Sequence, residues 1–552
     1  MTTPQHNSGQ AAPTAGKRGI HVCLITLYLH ESLGIRQISS VLRARGHETS
    51  LIFFKEFRWG KFSSVKPAEE ELLLSVLRER KPQLVGINLT SSFVADLAYR
   101  LAEKIRAGLG VPTIFGGAHA SCAPEACLEH ADFVCLGEGE EAIVDLANAL
   151  ASEQPTDAIA NLWTKVHGET RRNQVRPLTQ DLDRYPPVSY GEPESYFIED
   201  GYVQQLDPAT LLGLYHSTAS RMACPFNCTF CGGVHLRRVL YAGKGPVRRY
   251  RSVSAILEEV KRARPRSATF HTVQFWDEVF AAGAPAGWLD EFCERWPREI
   301  GLPIGIWSHG ALVTEELISR LKGAGLVSVV IGIESGSEQV RKEVLGRRES
   351  NARILKSAEI LKRYGIQTGY DFILDLPWLT EENCAGTFDL IMQLPRPFDV
   401  GLHSLSFLPA TPIAERALAE GKIRPEQIAR ADKPLAERFE LHYWKYRLDA
   451  TSRKSAYWHS LIYLAGMPFV PYSLLRRLRR LKPVLQFFPQ PVVLAAEVAR
   501  LRQATGETKL FQALAAVYPG VAGFLARHPR LGAAANVLVR RAGRLARRVL
   551  RG

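Results

Sequence analysis

The sequence predicts an α/β protein built in three parts, and three observations predict it. Residues 20 to 150 alternate short apolar runs with helix-period stretches, a second alternation runs from about 206 to 428, and the remainder reads as mostly helical. A chain of 552 residues is too long for one ordinary core, and 46% apolar with 23% charged residues excludes a disordered chain. The expected segments are a leader over 1–17, a first α/β domain over 18–151, a linker over 152–205, a six-unit βα domain over 206–428 and a helical, basic domain over 429–552.

In the first domain HVCLITLYL is an apolar run, followed by Ile35, Ile38 and Leu42 at helical spacing and a stop at Gly46-His47. TSLIFF, a helix near 68–79, QLVGINLT, a helix from about 93 to 108, VPTIFGG, DFVCLG and a helix from about 138 to 151 complete the series. Buried strands alternating with helices predict a doubly wound parallel sheet of about five strands, whose ligands sit at the strand carboxyl ends. The loops there hold Thr90-Ser91-Ser92, Gly116-Gly117-Ala118-His119 and Gly137-Glu138-Gly139-Glu140, and their glycines let backbone approach a ligand closely.

The segment containing DLDRYPPVSYGEP reads as a polar linker. Beyond it, strands are predicted at 211–216, 270–276, 302–307, 327–333, 367–374 and 399–406, which suits an open, partial barrel. Ser455 to Leu475 contains no Asp, Glu, Lys or Arg, yet His459, Gly466, Pro468 and Pro471 argue against a transmembrane helix. It is expected to pack as an aromatic-rich segment, with an interfacial position through Tyr457, Trp458 and Tyr463 as the rival.

The leader lacks an apolar core, so it is not read as a secretory signal, and nine unevenly spaced cysteines argue for the reducing cytoplasm over a disulfide framework. A net charge of +14 invites nucleic acid, but the last 16 residues alone carry six arginines (Arg540, Arg541, Arg544, Arg547, Arg548, Arg551) and no acid. Such a tail suits anionic lipid, an acidic partner or nucleic acid equally.

The strongest local signal is SRMACPFNCTFCGG, with Cys224, Cys228 and Cys231 on one short loop after a predicted strand. Thiolates are the soft ligands that iron–sulfur clusters prefer, and three of them leave one of four irons open to a substrate. A zinc site completed by His235 is the competing reading. The C-x3-C-x2-C spacing, with Phe230 before the last cysteine and Gly232-Gly233 after it, resembles the radical S-adenosylmethionine (SAM) superfamily. That resemblance implies a [4Fe–4S] cluster whose open iron binds SAM, and an electron that cleaves the sulfonium to a 5′-deoxyadenosyl radical.

Further segments carry the same resemblance. VQFWDEVF with Asp277-Glu278 is similar to the family's second barrel strand, and SVVIGIESGSEQVRKEVLGR to its fourth, which puts Glu334, Ser335 and Gly336 at the cofactor. Glu334 also reads as an acid stabilised by the following helix N-terminus. DFILDLPWLTEEN and FLPATPIAERALAEGKI resemble the fifth-strand turn and the closing segment.

The first domain resembles, through the order of its GIRQISSVLRARGHETSLI, PQLVGINLTSS and VPTIFGGAHASCAPEACLEHADFVCLGEGEEA segments, the flavodoxin-like cobalamin-binding domain that precedes many such barrels. The resemblance implies cobalamin contacts from Thr90, Ser91, Gly116, Gly117, His119, Gly137, Glu138 and Gly139. The Asp-x-His-x-x-Gly pattern that supplies a lower cobalt ligand is missing, so cobalamin is expected without one and His119 is expected to pack on ligand or backbone.

Together these imply a cobalamin-dependent radical SAM enzyme, a methyltransferase acting on an unactivated carbon (less often phosphorus) of a small-molecule, natural-product or lipid substrate. The alternatives are a radical oxidative cyclase or ring-rearranging enzyme, similar to the magnesium-porphyrin cyclase, or an RNA- or membrane-surface-binding protein using the basic tail. The resemblance also implies a flavodoxin- or ferredoxin-type electron donor. Nucleic acid is set aside, and the expected location is cytoplasmic, with peripheral contact to an anionic inner-membrane face.

Overall fold

A computed structural model describes residues 19–428 and 453–495, save for 59, 60, 63, 212, 267–269, 375, 404, 406, 426, 427, 488, 490, 491, 493 and 494. The leader and the tail arginines Arg540 to Arg551 lie outside the described residues.

The first sheet has nine strands: β1 (His21–Leu27), β2 (Glu48–Phe54), β3 (Leu84–Asn88), β4 (Thr113–Gly116), β5 (Phe133–Cys135), β6 (Leu162–Val166), β7 (Glu169–Arg172), β8 (Ser195–Glu199) and β9 (Tyr202–Gln204). Their order is β9-β8-β2-β1-β3-β4-β5-β6-β7. The central five, in the order β2-β1-β3-β4-β5, pair in parallel and have the doubly wound arrangement expected. Each face carries its own core: Ile25, Phe54, Val85, Leu101 and Val134 on one side, Leu24, Phe53, Leu42, Ile114 and Leu146 on the other.

The expected linker is corrected by this sheet. Residues 152–205 supply β6 to β9, extending both edges, with antiparallel pairing at β5–β6, β6–β7 and β8–β9. The outermost strands β7 and β9 are mostly exposed, which is why their polar sequences look like loop, whereas β8 pairs in parallel with β2 and is buried throughout.

The second sheet is a six-stranded parallel series, β10 (Leu214–Ser217), β11 (Thr272–Phe275), β12 (Ile304–Ser308), β13 (Leu326–Glu334), β14 (Gln367–Ile373) and β15 (Asp399–His403), in sequence order. Each predicted strand is found within a few residues. Helices between them are started by side-chain caps: Ser252 accepts from Ala255 N at 3.1 Å, and Thr380 forms a capping box with Asn383.

The helix Arg453–Gly466 holds the first part of the uncharged Ser455–Leu475 segment, which ends in the helix Tyr472–Arg480. Tyr457, Trp458, Leu461, Ile462 and Leu464 are buried in the core of the second sheet, so the packing reading holds and the interfacial one does not. No helix among the described residues is long and apolar enough to cross a membrane.

The two sheets are bolted together by buried charge. Arg36, on the helix Leu33–Ala44, meets Asp207 just before the barrel (Nη2–Oδ1 2.7 Å), and its guanidinium lies 4.1 Å from the Tyr190 ring. Asp207 also accepts from Gly191 N (2.8 Å) and Ala209 N (3.0 Å), so neither buried charge lacks a partner.

Candidate active site between the two sheets

A cavity of about 400 Å³ opens where the carboxyl ends of the two sheets face each other. The first sheet contributes Asn88, Gly116 and Gly117 after β3 and β4, and Gly137, Glu138, Gly139 and Glu140 after β5. The barrel contributes Thr218, Ser220, Arg221 and Met222 after β10, and Trp276 and Glu278 after β11. A larger cavity of about 580 Å³, lined by His21, His47, Arg80 and Glu192, lies at the amino-terminal ends of β1 and β2, away from the cysteine loop and from the loops that α/β sheets use for ligands.

The glycine loops are shaped for a close ligand. Gly117 has φ +109°, and a Cβ there would meet Leu89 O at 2.7 Å and Asn88 Oδ1 at 2.8 Å. Gly137 (φ +72°) is pressed by the Tyr241 hydroxyl, which accepts the Glu138 N–H at 2.7 Å. Gly34 faces open space in the cavity wall. This is a backbone cradle flanked by Leu24, Ile35, Ile38 and Ile143, which suits a large, mostly apolar macrocycle.

Three of the expected corrin contacts lie outside the cavity lining. Thr90 and Ser91 are not among the cavity-lining residues; Ser91 instead caps a short helical turn, accepting from Phe93 N at 3.3 Å. His119 is fully buried, its ring engaged by Ser92 Oγ (2.9 Å) and Tyr99 OH (3.0 Å). Burial pushes its pKa down to about 4. With both ring nitrogens used it packs on the protein, not on a ligand.

The cysteine loop leaves the short strand Ser220–Arg221, which pairs antiparallel with Arg249–Tyr250. Met222 follows at φ +52°, a conformation that a non-glycine residue holds at some cost. Cys231 N donates to Cys228 O (3.1 Å), and Thr229 is tied to Leu345 O and Ile413 N, so the loop is held from two sides. Burial raises the pKa of Cys224, opposed by the Phe226 backbone and Arg237, and pushes Cys228 to about 11 against Arg347. Glu278 and Cys231 at the first thiol, and Cys231 and Cys224 at the second, add smaller upward contributions. Among the described residues no three His, Cys, Asp or Glu side chains converge tightly enough to hold a metal ion as they stand. The fit to a cluster therefore rests on the donor set, three soft sulfurs on one short anchored loop. The remaining cysteines contrast: burial pushes Cys23, Cys122, Cys127 and Cys135 to about 12, and all nine are free.

Around this loop the barrel places further expected residues. Phe230 packs with Val340, Leu345 and Trp378, and a Cβ on Gly233 would sit 3.4 Å from Cys231 Sγ. A Cβ on Gly232 would strike Leu408, and one on Gly336 the Gly386–Thr387 backbone. Gly336 N donates to Thr387 Oγ1 at 2.9 Å, and Ser335 Oγ accepts from Ser337 N at 3.2 Å. Glu334, at φ +68°, ends β13 and turns its carboxylate to Arg347 (3.3 Å). Burial, opposed in part by Arg347, pushes its pKa to about 7.

Asp277 is engaged within the protein. Its carboxylate is buried and accepts from Ala219 N (2.9 Å) and Ser220 Oγ, so it pins the strand preceding the cysteines and is spent before any cofactor arrives. Its neighbour Glu278 is the exposed residue that lines the cavity.

Several site residues had no sequence signal. Arg347 Nη1 lies 3.9 Å from Cys228 Sγ and its Nε donates to Glu349 at 2.8 Å. His309 stacks on Phe226 of the loop, with ring centroids 3.7 Å apart. His403 Nε2 lies 3.3 Å from Asp371 Oδ1.

The family models agree with this geometry. The Radical SAM superfamily model matches residues 222–391, and the B12 binding domain model matches residues 22–147. The chain thus carries a radical SAM domain preceded by a B12-binding domain. An uncharacterized methyltransferase of Pyrococcus horikoshii is 27% identical over 334 residues, 58% of this chain and 66% of that one. The cytidylyl-2-hydroxyethylphosphonate methyltransferase of Streptomyces wedmorensis is 25% identical over 464 residues, 73% of this chain and 82% of that one. Among solved structures, the radical SAM methyltransferase TsrM of Kitasatospora setae, with cobalamin and [4Fe–4S] cluster bound, aligns with TM-score 0.57 at 18% identity, covering 73% of this chain and 75% of that one. The cobalamin-dependent radical SAM enzyme OxsB aligns with TM-score 0.58 at 17% identity, over 92% and 75%. At these identities the two structures speak for the fold of this chain, cavity-bearing sheets included.

Proposed function

We propose that this chain is a radical SAM methyltransferase acting on an unactivated carbon of a small-molecule, natural-product or lipid substrate. The observation that carries the reading is a single cavity walled by Gly116, Gly117, Gly137 and Gly139 on one side and by residues flanking the cysteine loop on the other. The methyltransferase names of both curated relatives support it.

In this reading Cys224, Cys228 and Cys231 hold the cluster. Phe230, Gly232, Gly233, Glu278, Glu334, Ser335 and Gly336 belong to SAM, and Gly116, Gly117, Gly137, Glu138 and Gly139 to the corrin. When bound, these groups supply an electron that splits SAM and a cobalt that carries a methyl group. The chain itself supplies position. Arg221, Arg249 and Tyr241 grip the Gly137–Glu140 loop, so both cavity walls stay in one relation and a substrate carbon between them is presented to both. Glu334, with a pKa near 7, holds or releases a proton at its carboxylate close to neutral pH. A flavodoxin- or ferredoxin-type donor, a cytoplasmic location and a peripheral position on an anionic membrane complete the reading.

Anaerobic preparation with cobalamin supplied, followed by iron and corrin analysis and turnover with a deuterium-labelled methyl donor, tests it. Labelled methyl in the product is the expected result. Release of 5′-deoxyadenosine without labelled product would replace methylation by cyclisation or rearrangement; zinc at the cysteine loop would end the whole reading.

A further inference from the structure

The helices Tyr472–Arg480 and Lys482–Leu485 lie on the outside of the barrel, and their inner side is fixed. Leu475 is fully buried, Tyr457 OH donates to Leu478 O (3.1 Å), and Arg479 lies 4.6 Å from the Trp458 ring. The outer side differs. Leu474, Leu481, Val484 and Phe487 are 45%, 54%, 60% and 52% exposed. They make up four of the ten large apolar side chains exposed among the described residues, within one short stretch of chain. Such concentration marks a contact surface, because isolated exposed apolar side chains need no explanation and clustered ones do.

Charge says what the contact is with. Arg476, Arg477 and Arg480 are exposed among these apolar residues, and among the described residues no carboxylate lies within ion-pair distance of them. The sequence from 450 to 496 contains no Asp or Glu and seven Lys or Arg. A nucleic-acid surface would use the arginines and leave leucine, valine and phenylalanine idle. A bilayer uses both, since guanidinium groups meet headgroup phosphates while the apolar side chains enter the acyl boundary.

We propose that the face formed by Leu474, Arg477, Arg480, Leu481, Val484 and Phe487 docks the enzyme onto an anionic phospholipid bilayer. The inference rests on the peripheral membrane position in the reading above and names the surface for it; it does not rest on the methyl-transfer chemistry. The docking helix is braced through Trp458 and Tyr457 on the helix Arg453–Gly466, which packs beside β15, so contact fixes how the barrel stands on the surface.

Flotation of the full-length protein with phosphatidylglycerol/phosphatidylcholine vesicles, against phosphatidylcholine alone, tests the inference. Association is expected only with the anionic vesicles, weakening as salt rises. Two surface variants are compared: Arg476→Gln/Arg477→Gln/Arg480→Gln, and Leu474→Gln/Leu481→Gln/Val484→Gln/Phe487→Gln. The first should weaken partitioning on the order of a hundredfold, the second about tenfold or more, with circular dichroism unchanged. Either variant binding like the parent would overturn the proposal and shift binding to another basic segment. It would equally fall if no anionic vesicle were bound at low salt, or if duplex RNA were bound more tightly than vesicles and only the arginine variant lost it.

Discussion

Arg249 grips the carboxylate of Glu138 with both terminal nitrogens, Nη1–Oε2 at 3.0 Å and Nη2–Oε1 at 2.5 Å, across the junction of the two sheets. Arg249 is almost fully buried, and Arg221 adds a contact to Glu140 at 2.7 Å. Removing one partner strands the other charge in a dry interface. Glu138→Gln should therefore cost about 3 kcal/mol, lower the melting temperature of the cofactor-free protein and reduce cobalamin retention on gel filtration. Arg249→Lys, which keeps charge but not the fork, should recover only part. Unchanged melting and corrin content in Glu138→Gln would show that the clasp does not hold the domains.

The cysteines divide into two classes by environment. Replacing Cys224, Cys228 or Cys231 singly with Ala should abolish cluster assembly, read as loss of iron and of the visible absorption of anaerobically reconstituted protein. Cys23, Cys122, Cys127, Cys135, Cys293 and Cys384 should each be dispensable, since they lie on strands and helices outside the cysteine loop. Iron loss in any of those six would mean the ligand set is wrongly assigned.

Gly137 carries a sharper steric prediction. Its φ of +72° and the Tyr241 hydroxyl leave no room for a methyl group. Gly137→Ala should destabilise the protein by about 2 kcal/mol, and pairing it with Tyr241→Phe should recover part by removing the nearest clash, with the ring Cζ still 2.7 Å from the added Cβ. If the double variant is no better than the single one, backbone strain and the remaining ring contact are the cost.

The sequence reveals what is local and periodic. The five central strands of the first sheet are almost wholly buried apolar runs and the first five barrel strands are largely so, which makes each legible alone; Asp399–His403, with no buried residue, is legible mainly by its place in the βα alternation. The cysteine loop is legible because its three donors fall within one turn of chain. The edge strands were missed since Glu169–Arg172 is exposed throughout and Tyr202–Gln204 nearly so, with no apolar face to betray them. Glycine loops at strand ends point to a ligand, but spacing does not tell inward from outward residues, so it does not separate His119, Thr90 and Ser91 from the glycines that line the cavity. Arg249 and Glu138 lie 111 positions apart, and only the packed sheets bring them together.

Acid sensitivity follows from histidines buried without charge. Burial holds His119, His216, His309 and His459 at a pKa of about 4, against 6.5 for an ordinary histidine. Below about pH 6.5 the unfolded chain takes up protons that the native state refuses, so stability is complete above that pH and falls toward pH 4. Each histidine contributes up to about 3 kcal/mol across that window. Glu334 and Asp277, pushed up to about 7 and 6, act the other way: their native forms bind protons in the same range and gain stability as pH drops. Four histidines outweigh two carboxyls, so the net slope is a loss in acid. The first thermal transition should move well down between pH 7.5 and pH 5, and His459→Gln should flatten that dependence while lowering stability at pH 7.5. A melting temperature that does not move over this interval would show that these rings are protonated in the folded protein.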